Sequence, residues 1–429
     1  MKSLRKMKDS GIEWIGEIPT SWKVGRVKAA FTRKKEEAHQ EDPVVLSLAR
    51  AGVKVRDISS GEGQIAESYY NYNPVEVGDF LLNPMDLYSG ANCSISRVQG
   101  VISPAYINLR SKNGYDAAYY DYYFKTQYWA MAMFAHGKGV SFDNRWTLNA
   151  NDLLNYYIPV PLYEEQCAIS SFIDHQCAHI DNIIEKTKAS IEEYKKLRQA
   201  VITQAVTKGV RGDRPMKDSG IEWIGEIPEE WISIKIKYVS TISRGLFNHR
   251  PRNDERYYDG DYPFIQTGDV AGAIKYITTY SQTLNELGRS VSKEFPKGTI
   301  TMTIAANIGD IAILGFDAYF PDSVVGIVPN QNTLDNYFFY VLSSMKTVFM
   351  EKAVANAQLN LNVERLKDVF IPYTDKIKEQ QEIAAYLDQK CAEIDNLIAK
   401  KETFLTELEA YKKSMIYEYV TGKKEVPSA

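Results

Sequence analysis

Three groups of residues in this chain have the types and spacing that could do chemistry. His175 and His179 stand four apart with Cys177 between them, which would put two imidazoles on one helix face where a divalent metal could sit. Asn83-Pro84-Met85-Asp86 approaches the [DN]PP[YF] loop of a methyltransferase that holds an extruded base. His136 to Phe142, HGKGVSF, carries glycines at which a phosphate could approach the backbone. Each lacks something its chemistry requires. The segment at Asn83 has neither the aromatic nor the second proline, and no two prolines are adjacent anywhere in the sequence. HGKGVSF lacks the third glycine of a dinucleotide fingerprint, and no GxxxxGK[ST] phosphate loop exists. At the positions that repeat His175 and His179 later in the chain stand Gln389 and Glu393, ordinary solvated helix residues, while Cys177 and Cys391 both fall on an apolar stripe. The expectation is a chain without catalytic residues, without a metal site and without a cofactor of its own.

The elements around these residues are written twice. Met7 to Pro19, MKDSGIEWIGEIP, recurs without a substitution from Met216 to Pro228, an offset of 209 residues. Trp22 and Trp231, and Lys28 and Lys237, keep the same register. A second echo closes each half: from Glu165 to Thr207, 15 of 43 positions are identical to Glu379 to Thr421. Between these shared ends the two middles look unrelated in sequence. The order is constant end, variable module, constant end, twice over.

Each closing segment reads as a long amphipathic helix. Ile173, Ile180, Ile184, Ile191 and Tyr194 in the first, and Leu387, Ile394, Ile398, Leu405 and Leu408 in the second, lie at heptad-like spacing and form the expected core of a helix pair. About 43 residues of helix span roughly 64 Å, and a continuous apolar stripe of that length needs a partner. The cheapest partner is the other copy, paired antiparallel about an internal pseudo-twofold. Each helix follows a proline-bearing strand end, Ile158 to Pro161 and Ile371 to Tyr373. Gly78 to Leu82, Tyr262 to Gly272 and Gly298 to Ile304 read as strands, while Tyr119 to Phe134 and Asn336 to Met350 are aromatic-rich helical patterns. The identical tryptophan-bearing segments read as strands that dock each module on the helices. The fold class is α+β, with two mixed α/β modules, 1–157 and 215–370, and two helical spacers, 158–214 and 371–429.

Composition is that of a globular protein: 429 residues, 44% hydrophobic and 25% charged. Net charge is −4, so no global basic field advertises nucleic acid. Four cysteines without a CxxC pair point to a reducing compartment, and no apolar run is long enough to span a bilayer, so the cytoplasm is the expected location.

The repeated text resembles the specificity subunits of type I restriction-modification systems. It is carried by GIEWIGEIPxxW at Gly11 and Gly220, by the IPxP-then-EQ passage from Ile158 to Gln166, and by the DxxxxxIDxLI-like helices from Asp174 and Asp388. YPFIQTGD with the following GTITMTIAANIGDIAI (Gly298 to Ile313) is similar to a target-recognition domain. The resemblance implies that each module reads one half of a bipartite, asymmetric site in double-stranded DNA. It implies that the helices set the spacing and dock two methyltransferase subunits, with an ATP-dependent restriction motor completing the complex. S-adenosylmethionine, ATP and Mg would then belong to the partner subunits. A coiled-coil adaptor without DNA readout is the competing reading. Base-edge contacts call for Arg, Lys, Asn, Gln and other polar side chains in loops. The candidates are Arg50, Lys54, Arg56, Tyr88, Ser89, Asn92, Lys138 and Arg145 in the first module. In the second they are Arg244, Asn248, Arg250, Arg252, Asn253, Arg256, Tyr257, Gln266 and Asn307, the segment from Arg244 to Tyr258 being the densest in arginine and aromatics.

Overall fold

The computed structural model describes the chain apart from residues 1–4, 50–51, 60–65, 86, 88–92, 140–145, 306, 356–358 and 428–429, and apart from the side chains at 354–355 and 359–360. The chain divides into two compact units, Met1–Thr187 with Thr403–Ala429, and Lys188–Glu402. Both divisions fall inside long helices, so each unit contains a stretch of both. Among the described residues no helix is long and apolar enough to cross a membrane.

The first unit is built on two small sheets. β1 (Phe31–Lys34), β2 (Leu46–Ala49), β3 (Gly52–Val55), β4 (Asn73–Val75), β5 (Phe80–Leu82), β6 (Cys93–Ile95), β7 (Gly100–Ile102) and β8 (Ile107–Ser111) precede helix α1 (Ala117–Trp129). One sheet has the order β1-β8-β5-β6, antiparallel throughout. Beside it, β3 pairs with β2 and β7 with β4, and a parallel bridge from Val45 to Val101 links the two pairs. Phe31, Phe80, Leu82 and Leu109 of the first sheet are buried against Tyr120 and Phe124 of α1. Asp116 starts α1 by accepting the amides of Ala118 and Tyr119. Helix α2 (Tyr163–Lys208) follows.

The second unit repeats this order with different residues. Its strands are β9 (Ser240–Arg244), β10 (Tyr258–Phe264), β11 (Tyr276–Ile277), β12 (Gln282–Leu284), β13 (Glu294–Phe295), β14 (Ile300–Thr303), β15 (Ile311–Leu314), β16 (Ala318–Tyr319) and β17 (Val324–Pro329). They lead to α3 (Asp335–Ser343) and the final helix α4 (Ile377–Val420). The first sheet is β9-β17-β14-β15-β11 and the second β12-β10-β16-β13. Position for position these match the sheets of the first unit, including a parallel step between β10 and β16, except that β11 is an added edge strand. The stretch from Tyr262 to Gly272, expected as strand, leaves the sheet after Phe264. Gln266 and Asp269 form a capping box there and start a short helix, Thr267–Gly272.

Each unit holds its module on the helices with the same contacts. The repeated segment is a hairpin and not the single docking strand its alternation suggests: Met7–Asp9 pairs back on Glu17–Pro19, as Met216–Asp218 does on Glu226–Pro228. The turn closes through Gly16 and Gly225, whose φ of 67° and 65° only glycine adopts without strain. Ile18, Trp22, Ile227 and Trp231 are buried beneath it. Strand Lys23–Arg26 then pairs with Tyr157–Val160, and Ile232–Lys235 with Phe370–Tyr373, so each module leaves and rejoins the frame side by side.

Within each unit the two helix stretches run antiparallel. In the first, the Phe172 and Tyr419 rings lie 4.7 Å apart and Lys412 donates to Asp181 at 2.6 Å. In the second, Arg198 donates to Asp395 at 2.8 Å and Lys401 lies over the Tyr194 ring. Asp181 and Asp395 are equivalent positions of the repeat, as are Lys412 and Arg198. Of the expected stripe, Ile173, Ile180, Ile191, Leu387 and Ile394 are buried, and Ile184, Tyr194, Ile398, Leu405 and Leu408 are half-buried.

Candidate nucleic-acid interface

Strand β9 ends at Arg244, and the chain then loops through a short 3-10 turn, Glu255–Tyr257, before β10 begins. Two carboxylates organise this loop. Asp322 forms ion pairs with Arg252 and, at 3.5 Å, with Arg250, and its backbone oxygen accepts Arg244 Nε at 2.7 Å. Arg250 Nη1 also donates to the carbonyls of Phe247 and His249, both at 2.7 Å. Asp254 accepts Arg256 Nη2 at 2.7 Å and is bonded to His249 Nε2 at 2.9 Å. The Arg256 hydrogen bond, ahead of the other contacts, holds Asp254 well below the usual carboxylate range. The Tyr257 ring stacks on His249 with centroids 4.0 Å apart.

These bonds fix the guanidinium planes without burying them. The Arg250, Arg252 and Arg256 side chains remain 55%, 45% and 75% exposed, so their outward N–H groups stay available to a phosphate or a guanine edge. Beside them is a cavity of 280 Å³. Phe247, Tyr258 and Phe264 line it with aromatic surface, and Arg252, Asn253, Gln266, Gln282 and Ser323 with polar groups. Gln266 Nε2 donates to Gln282 Oε1 at 2.9 Å, so the two amides are held as one pair. Side-chain amides match the donor and acceptor of an adenine edge, and aromatic faces suit a base or a thymine methyl.

The structure thus gathers Arg252, Asn253 and Gln266 on one cavity, with Arg244 and Arg250 tied to the same Asp322. Asn248 is exposed beside them and its amide donates to Val291. Asn307 is exposed in the turn between β14 and β15, its carbonyl bonded by Thr303, and does not line this cavity. Tyr258 closes the arginine-rich segment marked in the sequence, whereas Gln282 and Ser323 come from other parts of the chain and carry no local signal.

In the first unit Lys54 is exposed on β3, and Arg56 is half-buried with its amide donating to Val45. Lys138 is exposed, 3.7 Å from Asp152. Arg50, Tyr88, Ser89, Asn92 and Arg145 lie outside the described residues, as does Asp86 of the proline segment. His175 and His179 are exposed on α2, and among the described residues no group of three or more His, Cys, Asp or Glu side chains could hold a metal ion.

Residues 228–409 match the family model described as the type I restriction modification DNA specificity domain. The EcoBI specificity subunit of Escherichia coli, a type I restriction enzyme component, is 25% identical over 92% of this chain and 84% of its own length. The putative MjaX specificity subunit of Methanocaldococcus jannaschii is 27% identical over 66% of this chain; the match spans 63% of that relative, just under two thirds. The chain is thus similar to specificity subunits of type I restriction-modification systems, the family-model match lying in its second half. The fold agrees. A chain solved in a study of complex assembly and conformational transition in the type I R-M system superposes with a TM-score of 0.74 at 15% identity, covering 95% of this chain and 99% of the other. The HsdS subunit of Thermoanaerobacter tengcongensis gives 0.53 at 14% identity, covering 95% and 98%. In this chain the matched residues run through the whole arginine loop and its cavity, from Pro228 into helix α4.

Proposed function

We propose that this chain is the DNA-reading subunit of a type I restriction-modification complex and is itself without catalytic activity. Each module reads one half of a bipartite, asymmetric site in double-stranded DNA. In the second module the arginine loop and the cavity beside it face the half-site: Arg250, Arg252 and Arg256 supply the cationic contacts, and Gln266, Gln282 and Asn253 the amide contacts to base edges. The observation that carries this reading is the preorganised, exposed guanidinium cluster on an aromatic and amide-lined cavity, inside the segment that matches the specificity-domain family. The adaptor reading gives that cluster nothing to do.

The long helices fix the distance between half-sites and carry two methyltransferase subunits. S-adenosylmethionine serves those subunits, and ATP with Mg serves the restriction motor; none is held by this chain. The assembly works in the cytoplasm. An acidic subunit can bind DNA in such an assembly because its partners complete the phosphate-neutralising surface. Methylome sequencing of a host that carries this chain with its modification subunit tests the reading. The expected result is adenine methylation at one two-part motif with a fixed gap. Methylation at a continuous motif, or none, overturns it.

A further inference from the structure

The two units differ at one edge of the first sheet. In the second unit β15 is covered by β11, which adds in parallel: Ile313 N donates to Lys275 O at 2.8 Å, and Gly315 N to Ile277 O at 3.1 Å. Lys275 then reaches past the sheet to α4. Its ammonium pairs with Asp388, lies 4.7 Å from the Tyr340 ring centroid, and shares Asp388 with the Tyr340 hydroxyl. Strand, lysine, tyrosine and aspartate close the space between sheet and helix.

In the first unit most of these parts recur without the strand. Ile95 of β6 corresponds to Ile313, Tyr122 to Tyr340 and Asp174 to Asp388, and Tyr122 donates to Asp174 at 2.5 Å just as Tyr340 does to Asp388. Among the described residues there is no counterpart of β11: only two residues separate β2 from β3, where the second unit inserts a helix and a strand between β10 and β12. Among the described residues β6 is therefore the sheet edge. Its outward amide at Ile95 is bonded at 3.0 Å by the side chain of Asp121, which stands in for the missing backbone carbonyl and is neutralised by Lys125 at 2.6 Å. What remains is a cleft of 760 Å³ lined by Gly52, Val53, Ser94, Ile95, Tyr122, Asp174 and neighbouring residues. Asp181 in the same cleft is paired with Lys412, so Asp174 is the acid there whose equivalent has a lysine and which itself has none among the described residues.

We propose that this cleft is a docking site for an extended segment of a partner polypeptide, added as a strand parallel to β6, whose lysine or arginine reaches Asp174 as Lys275 reaches Asp388. The incoming backbone carbonyl takes the Ile95 amide, and Asp121 keeps Lys125. The basic residue is followed by an aromatic and an aliphatic one, the pattern of Lys275-Tyr276-Ile277, because the β6 edge, Tyr122 and Asp174 repeat the edge, tyrosine and acid around that tripeptide. The inference stands apart from the DNA reading.

The probe is a fluorescein-labelled peptide of residues 272–279, GAIKYITT, titrated with the full chain and followed by anisotropy. Saturable one-to-one binding is expected, competed by unlabelled peptide. Asp174→Asn removes the acid, Ala178→Trp fills the cleft from an exposed helix position, and a peptide with glutamine for its lysine removes the cation; each should weaken binding by about tenfold or more. Thermal melting confirms that both variants fold. No saturable binding, or full affinity in any one of the three, overturns the proposal.

Discussion

The two units share a strand order, a hairpin, a closing strand pair and a helix pairing, and they share few residues between those landmarks. Where they agree in sequence, a polar contact is repeated. Gln166 and Gln380 each accept a backbone amide at the start of the module helix, from Asp116 and Leu334, and each donates back to the chain at the start of its long helix. Arg5 lies over Trp22 and Arg214 over Trp231, both at 5.2 Å, and both arginines pair with the first glutamate of the repeat, Glu165 or Glu379. Where the units disagree, mostly apolar side chains fill the strands: Phe80, Leu81 and Leu82 in β5 against Ile300, Thr301 and Met302 in β14, with the Thr301 hydroxyl bonded to the Ala312 carbonyl. A packed sheet accepts many apolar combinations, whereas a buried ion pair accepts very few replacements.

That difference sets an order of expected effects. The largest comes from exchanging residues 29–147 for another family member's module, which should change one half of the methylated motif and leave the other unchanged; change in both halves would break the equivalence of the units. Next, inserting about four residues into α2 after Ile184 should lengthen the gap between half-sites with both sequences kept, read from the same methylome. Removing the shared ion pairs separates the units quantitatively. Glu379 is fully buried and Glu165 is 28% exposed, so Glu379→Gln should cost about 3 kcal/mol of stability and Glu165→Gln about half that in denaturant unfolding.

The tryptophans sharpen the contrast, because Trp22 Nε1 donates to Glu165 at 2.8 Å while the buried Trp231 Nε1 has no partner among the described residues. Trp22→Phe should therefore cost about 1–2 kcal/mol more than Trp231→Phe. For DNA, Arg252→Ala should weaken binding by about tenfold and flatten its salt dependence, measured by titration with the methylated motif at several salt concentrations. The smallest effect is one of pH, and it has opposite sign in the two units. Asp254 is held below the ordinary carboxylate range, so its contribution is present above that range and lost as pH falls through the depressed value. Asp121 is raised, burial outweighing Lys125, so ionising it opposes folding and stability falls as pH rises from the ordinary range towards the raised value. Thermal melts against pH should lose the acid-side decline in Asp254→Asn and the higher-pH decline in Asp121→Asn.

The frame was legible because its parts are local or repeated: heptad spacing, an unsubstituted segment, prolines at strand ends. The common order of the two sheets was not, since it rests on long-range pairings that strands such as β5 and β14 specify only by burying a face. The short helix at Thr267 hid inside a strand-like run because its capping residues, Gln266 and Asp269, read equally well as loop. In the interface, the arginines of one loop were visible together, whereas Asp322 and Ser323 arrive from the turn before β17 and Gln282 from β12, and Asp322 decides which arginines are held in place.

The side-by-side strands Lys23–Arg26 with Tyr157–Val160, and Ile232–Lys235 with Phe370–Tyr373, also make each module a closed loop in the polymer sense. Its ends are clamped next to each other whatever lies between them. Closure entropy grows only logarithmically with contour length, so doubling an insert costs roughly 0.6 kcal/mol. The clamp thus makes the frame nearly indifferent to the size of what it carries.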